Sequence, residues 1–329
     1  MSSFVCLHLE RMDGKRVLIT GGAGFLGSHV VDRALREGAS VTVLDNLYTG
    51  TEHNMKHHQG NKNFTFIRHD ICDRLPISLD NVKFDFIFHL ACAASPVHYQ
   101  AEPIQTTMTC VQGTYNILQL ALRCDCPVLF SGTSEVYGDP LEHPQKETYW
   151  GNVNCTGIRS CYDEGKRCAE ALCFDFHRMH RVKVRVARIF NTYGPRMCFN
   201  DGRIISNFLV QALTGKDITI YGTGEYTRSF QYCDDLVEGF WRLIQHPTET
   251  GPVNLGNPEE FSVKDMAEKI KAMVPGCTSK IVYLEAAKDD PKQRRPDITK
   301  AGTVLNGWYP GVKVEEGLQR TMEEFKQRL

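Results

Sequence analysis

Short apolar runs alternate with amphipathic stretches along the first half of the chain. Arg16-Val17-Leu18-Ile19-Thr20 is a continuous run of strand length. The glycine-rich residues behind it lead into a helical pattern from Phe25 to Glu37, which Gly38 stops. Ser40–Asp45 reads as a second strand, and Phe64–His69, Asp85–Ala91, Val128–Thr133 and Val182–Phe190 read as further ones. Helical patterns lie between several of them, notably Ile104–Arg123 and Cys161–His180. Strands that are apolar on both faces and alternate with helices predict an α/β fold, a doubly wound parallel sheet. After about Gly194 come shorter strands, Ile218–Tyr221 and Ile281–Tyr283, and helices, Asp235–Gln245, Ser262–Met273 and Val314–Leu329. They predict a smaller C-terminal α/β lobe over the carboxyl edge of the sheet. The expected division is an extension over 1–14, a main unit over 15–193, and residues 194–329 mainly in the lobe, with some segments returning to the main sheet.

Composition narrows the classes. At 329 residues with 42% hydrophobic content, the chain carries enough apolar mass for a packed core. Its 38 basic and 39 acidic residues give a net charge of −1, so nothing global favours nucleic acid or an anionic membrane. The apolar patch Phe4–Leu7 is too short for a signal segment, and no run reaches the roughly 18 apolar residues of a membrane span, so no membrane anchor is expected. The thirteen cysteines cannot all pair and form no Cys-x-x-Cys motif, which argues for reduced packing residues, no metal site and a cytoplasmic protein. On that reading the Asn154-Cys155-Thr156 sequon goes unused, and the C-terminal Gln327-Arg328-Leu329 lacks the small residue that opens a peroxisomal tripeptide.

The residues after the first strand carry chemistry. Gly21-Gly22-Ala23-Gly24-Phe25-Leu26-Gly27 spaces its glycines as GxxGxxG between strand and helix. Gly21 permits the tight turn, Gly24 lets the backbone approach a pyrophosphate, and Gly27 lets helix and strand pack closely, as in a Rossmann dinucleotide site. The helix N-terminus offers unpaired N–H groups and partial positive charge to the phosphates. Asp45 closes the second strand, where a carboxylate accepts from a ribose 2′-hydroxyl and repels a 2′-phosphate, favouring NAD over NADP. Asp70, at the end of the third strand, suits an adenine amino group, although Asp also caps strand ends.

A second constellation lies at domain distance. Tyr162-Asp163-Glu164-Gly165-Lys166 puts Tyr162 and Lys166 on one helical face. A free phenol is a weak base at neutral pH, but a nearby ammonium favours the phenolate, which can then take a proton from a sugar hydroxyl. Thr133, Ser134 and Glu135 follow a strand and therefore stand at the carboxyl edge, where doubly wound folds bind ligands. Thr133 can hydrogen-bond a reacting hydroxyl there, and a strand-end cap is the equal alternative for Thr133 and Ser134.

These residues resemble the extended short-chain dehydrogenase/reductase family of nucleotide-sugar enzymes from about Lys15 to the C-terminus. The matching stretches include Thr133-Ser134-Glu135-Val136-Tyr137-Gly138-Asp139-Pro140, Arg159-Ser160-Cys161-Tyr162-Asp163-Glu164-Gly165-Lys166-Arg167, Ala187–Met197, Val253–Pro258 and Arg294-Arg295-Pro296-Asp297-Ile298. The resemblance implies NAD as cofactor and decarboxylation of UDP-glucuronate to UDP-xylose through a 4-keto intermediate. A UDP-sugar 4-epimerase or 4,6-dehydratase of the same family is the alternative. It implies Tyr162, Lys166, Thr133 and Ser134 at the reacting centre, and Glu135 and Arg294 in the decarboxylation and reprotonation stage; either of the last two also suits a structural ion pair. Around NAD it places Phe25, Leu26, Asn46, Tyr48, Thr49, Gly50, Ile71, Leu90, Cys92, Thr109, Ser131, Thr192 and Arg203. Around the UDP moiety it places Asn191, Asn207, Tyr221, Arg228 and Arg294. The chain departs from the family pattern at Ala93 (usually Pro), Met108 (often Lys), Cys110 (usually Asn) and Cys155-Thr156 (usually Pro-Ile). A homodimer built on the helices Ile104–Arg123 and Cys161–His180 is also implied, though their apolar stripes equally suit the core of one chain.

Overall fold

Seven apolar runs pair side by side into one sheet. They are β1 (Arg16–Thr20), β2 (Ser40–Asp45), β3 (Phe64–Arg68), β4 (Phe86–His89), β5 (Val128–Thr133), β6 (Val184–Ile189) and the strand Val253–Leu255. The computed structural model describes residues 9–285 and 293–329, and the Phe4–Leu7 patch lies outside the described residues. All neighbours in the sheet run parallel, in the order Val253–Leu255, β6, β5, β4, β1, β2, β3. The chain winds outward in both directions from the β1–β4 pair, so a crevice opens at the carboxyl ends of those strands.

Alternation along each strand feeds two apolar layers. Val17 and Ile19 face the layer that holds Val30, Val31 and Ala34 of helix Phe25–Arg36 and Phe240 and Trp241 of helix Cys233–Gln245. Leu18 faces the opposite layer, with Ile117 and Leu118 of helix Thr114–Cys124 and Ala169, Cys173 and Phe176 of helix Ser160–His180. Phe88 stacks on Trp241 at 6.0 Å between ring centres, and truncating such a ring to alanine costs about 3–5 kcal/mol. Beyond residue 194, helix Cys233–Gln245 and strand Val253–Leu255 belong to the main sheet and its cover.

A separate core joins Ile205, Phe208 and Leu209 of helix Ile204–Leu213 to Ile218, Ile220, Met266 and Phe325. Its strands form a parallel pair, Ile218–Tyr221 with Ile281–Leu284, and a three-stranded sheet in the order Glu260–Ser262, Thr227–Ser229, Gln293–Arg294. The helix expected over Ile104–Arg123 is interrupted: Pro103–Met108 and Thr114–Cys124 are joined by a π turn, Thr109–Gly113. Gly113 in that turn lies so close to Ile71 that an added Cβ would stand 2.5 Å from its side chain. Close approach to the end of β3 therefore takes precedence over an unbroken helix.

Candidate active site

A cleft of about 1340 Å³ opens at the carboxyl ends of β1, β4 and β5, under the smaller sheets. Gly21 leaves β1 at φ +73°, and a Cβ there would stand 2.8 Å from the Ala91 nitrogen. A Cβ on Gly27 would stand 2.0 Å from the Gly21 carbonyl oxygen, so helix Phe25–Arg36 starts hard against the turn. No side chain caps that helix, and its first N–H groups remain for an anion. Asp45 is buried at the adjacent strand end, accepting from the backbone N–H groups of Ala23 at 2.9 Å and Leu47 at 2.8 Å. A carboxylate has room for further donors beside these two, so the site fits a dinucleotide ribose. Asp70 accepts from Asn46 Nδ2 at 3.0 Å and from the Cys72 N–H at 2.9 Å.

The cleft also brings together Gly24, Phe25, Leu26, Tyr48, Thr49, Ile71, Leu90, Cys92, Thr109, Ser131, Thr192 and Arg203, together with Asn191, Asn207, Tyr221 and Arg228. Gly50 is not among its lining residues. It packs instead against the backbone of Ala23 and the Asp45 carboxylate, where a Cβ would crowd both.

Helix Ser160–His180 carries Tyr162 and Lys166 into the floor of the cleft, both buried. Thr133, at the end of β5, is hydrogen-bonded to the Tyr162 phenol, and its oxygen accepts the Glu135 N–H at 3.2 Å. Lys166 Nζ donates to the Ser131 carbonyl at 2.9 Å and lies 5.9 Å from the Tyr162 ring centre. The phenol pKa departs from expectation. Burial, reinforced by the neighbouring Cys92, drives it well above its ordinary value, and the Lys166 ammonium, committed to Ser131, does not reverse this.

Sequence reasoning did not single out Tyr99 or Arg159. Tyr99 stacks on Tyr162 with ring centres 5.0 Å apart and planes 9° from parallel, which fixes the plane of the phenol. Arg159 joins a buried ion cluster. Its Nη2 donates to Glu135 Oε2 at 2.6 Å, while Arg294 donates to Glu135 Oε1 at 3.1 Å and Oε2 at 3.3 Å. Arg294 also donates to Ser134 Oγ at 2.9 Å and the Gly138 carbonyl at 2.7 Å. Burial by itself would raise the Glu135 carboxyl, but the Arg294 and Arg159 guanidiniums override it and hold the pKa down at about 2. Asp163 lies 3.7 Å from Arg159 Nε, and burial together with the Glu135 charge pushes it up to about 7. The signal for Arg159 was its place three residues before Tyr162, one helical turn along the same face.

A doubly wound sheet with a glycine-rich turn, a terminal aspartate and a buried Tyr–Lys pair defines an NAD-dependent enzyme of the dehydrogenase type. Residues 17–256 match the NAD dependent epimerase/dehydratase family, and the chain belongs to it. Over 323 residues it is 52% identical to UDP-glucuronic acid decarboxylase 2 of Arabidopsis thaliana, covering 98% of this chain and 71% of that one. Among solved structures it is similar to UDP-glucose 4-epimerase from Thermotoga maritima, with 30% identity, a TM-score of 0.86 and coverage of 95% and 99%. It is also similar to UDP-glucuronic acid 4-epimerase from Bacillus cereus in complex with UDP-glucuronic acid and NAD, with 26% identity, a TM-score of 0.85 and coverage of 95% and 100%. NAD is its cofactor.

Proposed function

We propose that this enzyme decarboxylates UDP-glucuronate to UDP-xylose. The observation that carries the reading is the buried Glu135–Arg294 pair, set beside Thr133 and Tyr162 in one cleft. Relatives about half identical over nearly the whole chain are named UDP-glucuronic acid decarboxylases, which supports it.

Bound NAD would supply a reversible hydride acceptor for C4 of the sugar, so that no net reductant would be consumed. Gly21, Gly24 and Gly27 hold its pyrophosphate against the helix N-terminus, and Asp45 and Asp70 receive its adenosine half. Tyr162 removes the C4 hydroxyl proton as its phenolate, a form that the Thr133 hydrogen bond to the same oxygen favours against burial, with the Lys166 ammonium close by. Lys166 holds the nicotinamide ribose. The resulting C4 ketone lies β to the C6 carboxylate, so the electrons of the breaking C5–C6 bond move into an enolate as carbon dioxide leaves. Arg294, steadied by Ser134, binds the departing carboxylate, and Glu135 with its ordered surroundings directs the proton that returns to C5. Asn191, Asn207, Tyr221 and Arg228 receive the UDP moiety, with the Arg228 fork suited to the diphosphate.

On this reading residues 15–193 form the NAD-binding unit and 194–329 mainly the UDP-sugar lobe. Two copies pair through helices Thr114–Cys124 and Ser160–His180, whose outer faces carry exposed Tyr115, Leu122 and Met179. We also place the enzyme in the cytoplasm, where its thiols stay reduced. Among the described residues no helix is long and apolar enough to cross a membrane.

A proton NMR time course of UDP-glucuronate with the protein and catalytic NAD tests the activity. UDP-xylose and carbon dioxide are expected in equal amounts, with no lasting absorbance from reduced cofactor. Conversion to UDP-galacturonate without gas release would make the enzyme an epimerase instead.

A further inference from the structure

Two free cysteines stand side by side at the heart of the cleft. Cys92, just beyond β4, lines it, and Cys110 sits buried in the π turn Thr109–Gly113 behind it. Their sulfurs are 3.3 Å apart. A disulfide requires about 2.05 Å, so a shift of about 1 Å of two side chains closes the gap.

The surroundings give the two thiols different characters. The hydrogen bond from Cys110 and the nearby Lys166 charge outweigh burial and bring Cys92 down to about 7, whereas the same pairing and its own burial push Cys110 up. Cys92, half-buried where it lines the cleft, is thus the better nucleophile, and the buried Cys110 stands ready behind it. Cys110 also touches the catalytic helix: a Cβ on Gly165 would stand 3.2 Å from its sulfur. Drawing Cys110 toward Cys92 therefore moves a support of the helix turn that carries Tyr162 and Lys166.

We propose that Cys92 and Cys110 form a peroxide-sensitive modification site whose disulfide closes the nicotinamide end of the cleft. The placement of the nicotinamide rests on the function proposed above. The Cys92 thiolate attacks one oxygen of hydrogen peroxide, the O–O bond breaks, and the sulfenic acid forms while hydroxide leaves and takes a proton to become water. The Cys110 sulfur then attacks the Cys92 sulfur, the S–O bond breaks, and the second hydroxide leaves with the Cys110 proton as water. Two thiols lose two electrons to one peroxide, and two waters result. A thiol reductant reverses the bridge.

The test uses the full chain, treated with hydrogen peroxide with and without NAD, alkylated, and digested with chymotrypsin so that the chain is cut at Tyr99 between the two cysteines. Mass spectrometry should find a Cys92–Cys110 linked peptide, and NAD affinity by calorimetry should fall at least tenfold and return with dithiothreitol. Bound NAD should slow bridge formation at least fivefold. Cys110→Ser should give no linked peptide and keep its NAD affinity within twofold of its own reduced state. Three results would overturn the proposal: no linked peptide while exposed Cys155, Cys168 and Cys198 are oxidised, sulfinic acid at Cys92 without a bridge, or a bridge that leaves NAD affinity unchanged. Neither readout needs a sugar substrate, so failure of the decarboxylase reading would show separately, as an intact switch on an enzyme with another product.

Discussion

The cofactor wall of the cleft is made largely of backbone, and the wall facing it is made of paired charges. From Arg16 to Asp45 the first wall is one strand–turn–helix–strand stretch, fixed by the β1–β2 register and by glycines that admit no side chain. The opposite wall draws Glu135, Arg159 and Arg294 from three distant segments, and Arg294 reaches it on a short strand beside Arg228. A backbone cradle recognises a group common to many enzymes, whereas charges paired across distant segments depend on every partner staying in place. The difference predicts that mutations on the two walls fail differently.

Tyr162 stands at the seam between them, and its removal gives the largest effect on rate. Tyr162→Phe should cut turnover by about 10²–10⁴-fold, the usual worth of a positioned acid or base. NAD affinity should stay within a few-fold, since the cradle does not depend on the phenol oxygen. Steady-state carbon dioxide release and calorimetric NAD titration check both halves, and near-normal turnover would remove Tyr162 from the chemistry.

Arg294→Met attacks the charged wall alone. Removing one partner from a buried ion cluster costs about 3–5 kcal/mol, so chemical denaturation should show a large loss of stability along with lost carbon dioxide release. A protein with unchanged stability would mean that Arg159 alone compensates Glu135. On the cofactor wall, Asp45→Asn should act more mildly. It weakens one charge-assisted hydrogen bond, worth about 1.5–3 kcal/mol, so NAD affinity should drop tenfold or more while the margin over NADP narrows. An unchanged NAD-to-NADP ratio would assign Asp45 to holding Ala23 and Leu47 only.

The same contrast explains what the sequence makes legible. The main sheet and its cradle follow from periods of a few residues: β1, β2 and β5 begin and end where their apolar runs do. Tyr162 and Lys166 announce themselves by helical spacing. Arg294 emerges only from family resemblance, because nothing local to residue 294 encodes a partner at Glu135. Arg159 and Tyr99 were missed for the same reason, since their roles arise from packing across segments. The π turn at Thr109–Gly113 is not written in the local pattern, because its place is set by the close approach of Gly113 to Ile71, far away along the chain. Spacing shows that Lys166 is near Tyr162 but not that the Ser131 carbonyl holds its ammonium or that burial raises the phenol pKa.

The pH dependence of stability tests whether the two walls share charge through Asp163. Its carboxyl is pushed up to about 7 by burial first and by Glu135 next, with Glu164 adding to the shift and Arg159 and Arg294 opposing it, and one of its oxygens is buried without a hydrogen bond. An unfolded aspartate releases its proton near 3.8, so between pH 3.8 and 7 the folded chain holds a proton that the unfolded chain has lost. Stability from this group is therefore full below pH 3.8 and declines as pH rises through that window. Glu135 acts in the opposite sense and lower down: its folded pKa of about 2 makes its stabilisation present above 4.5 and lost only as pH falls toward 2. Asp163→Asn keeps the shape and removes the titration. The difference in melting temperature between this variant and the native chain should grow in the variant's favour from pH 4 to pH 7 and then level off. A difference that stays constant across that range would mean Asp163 is ionised throughout, with Arg159 paired to it as firmly as to Glu135.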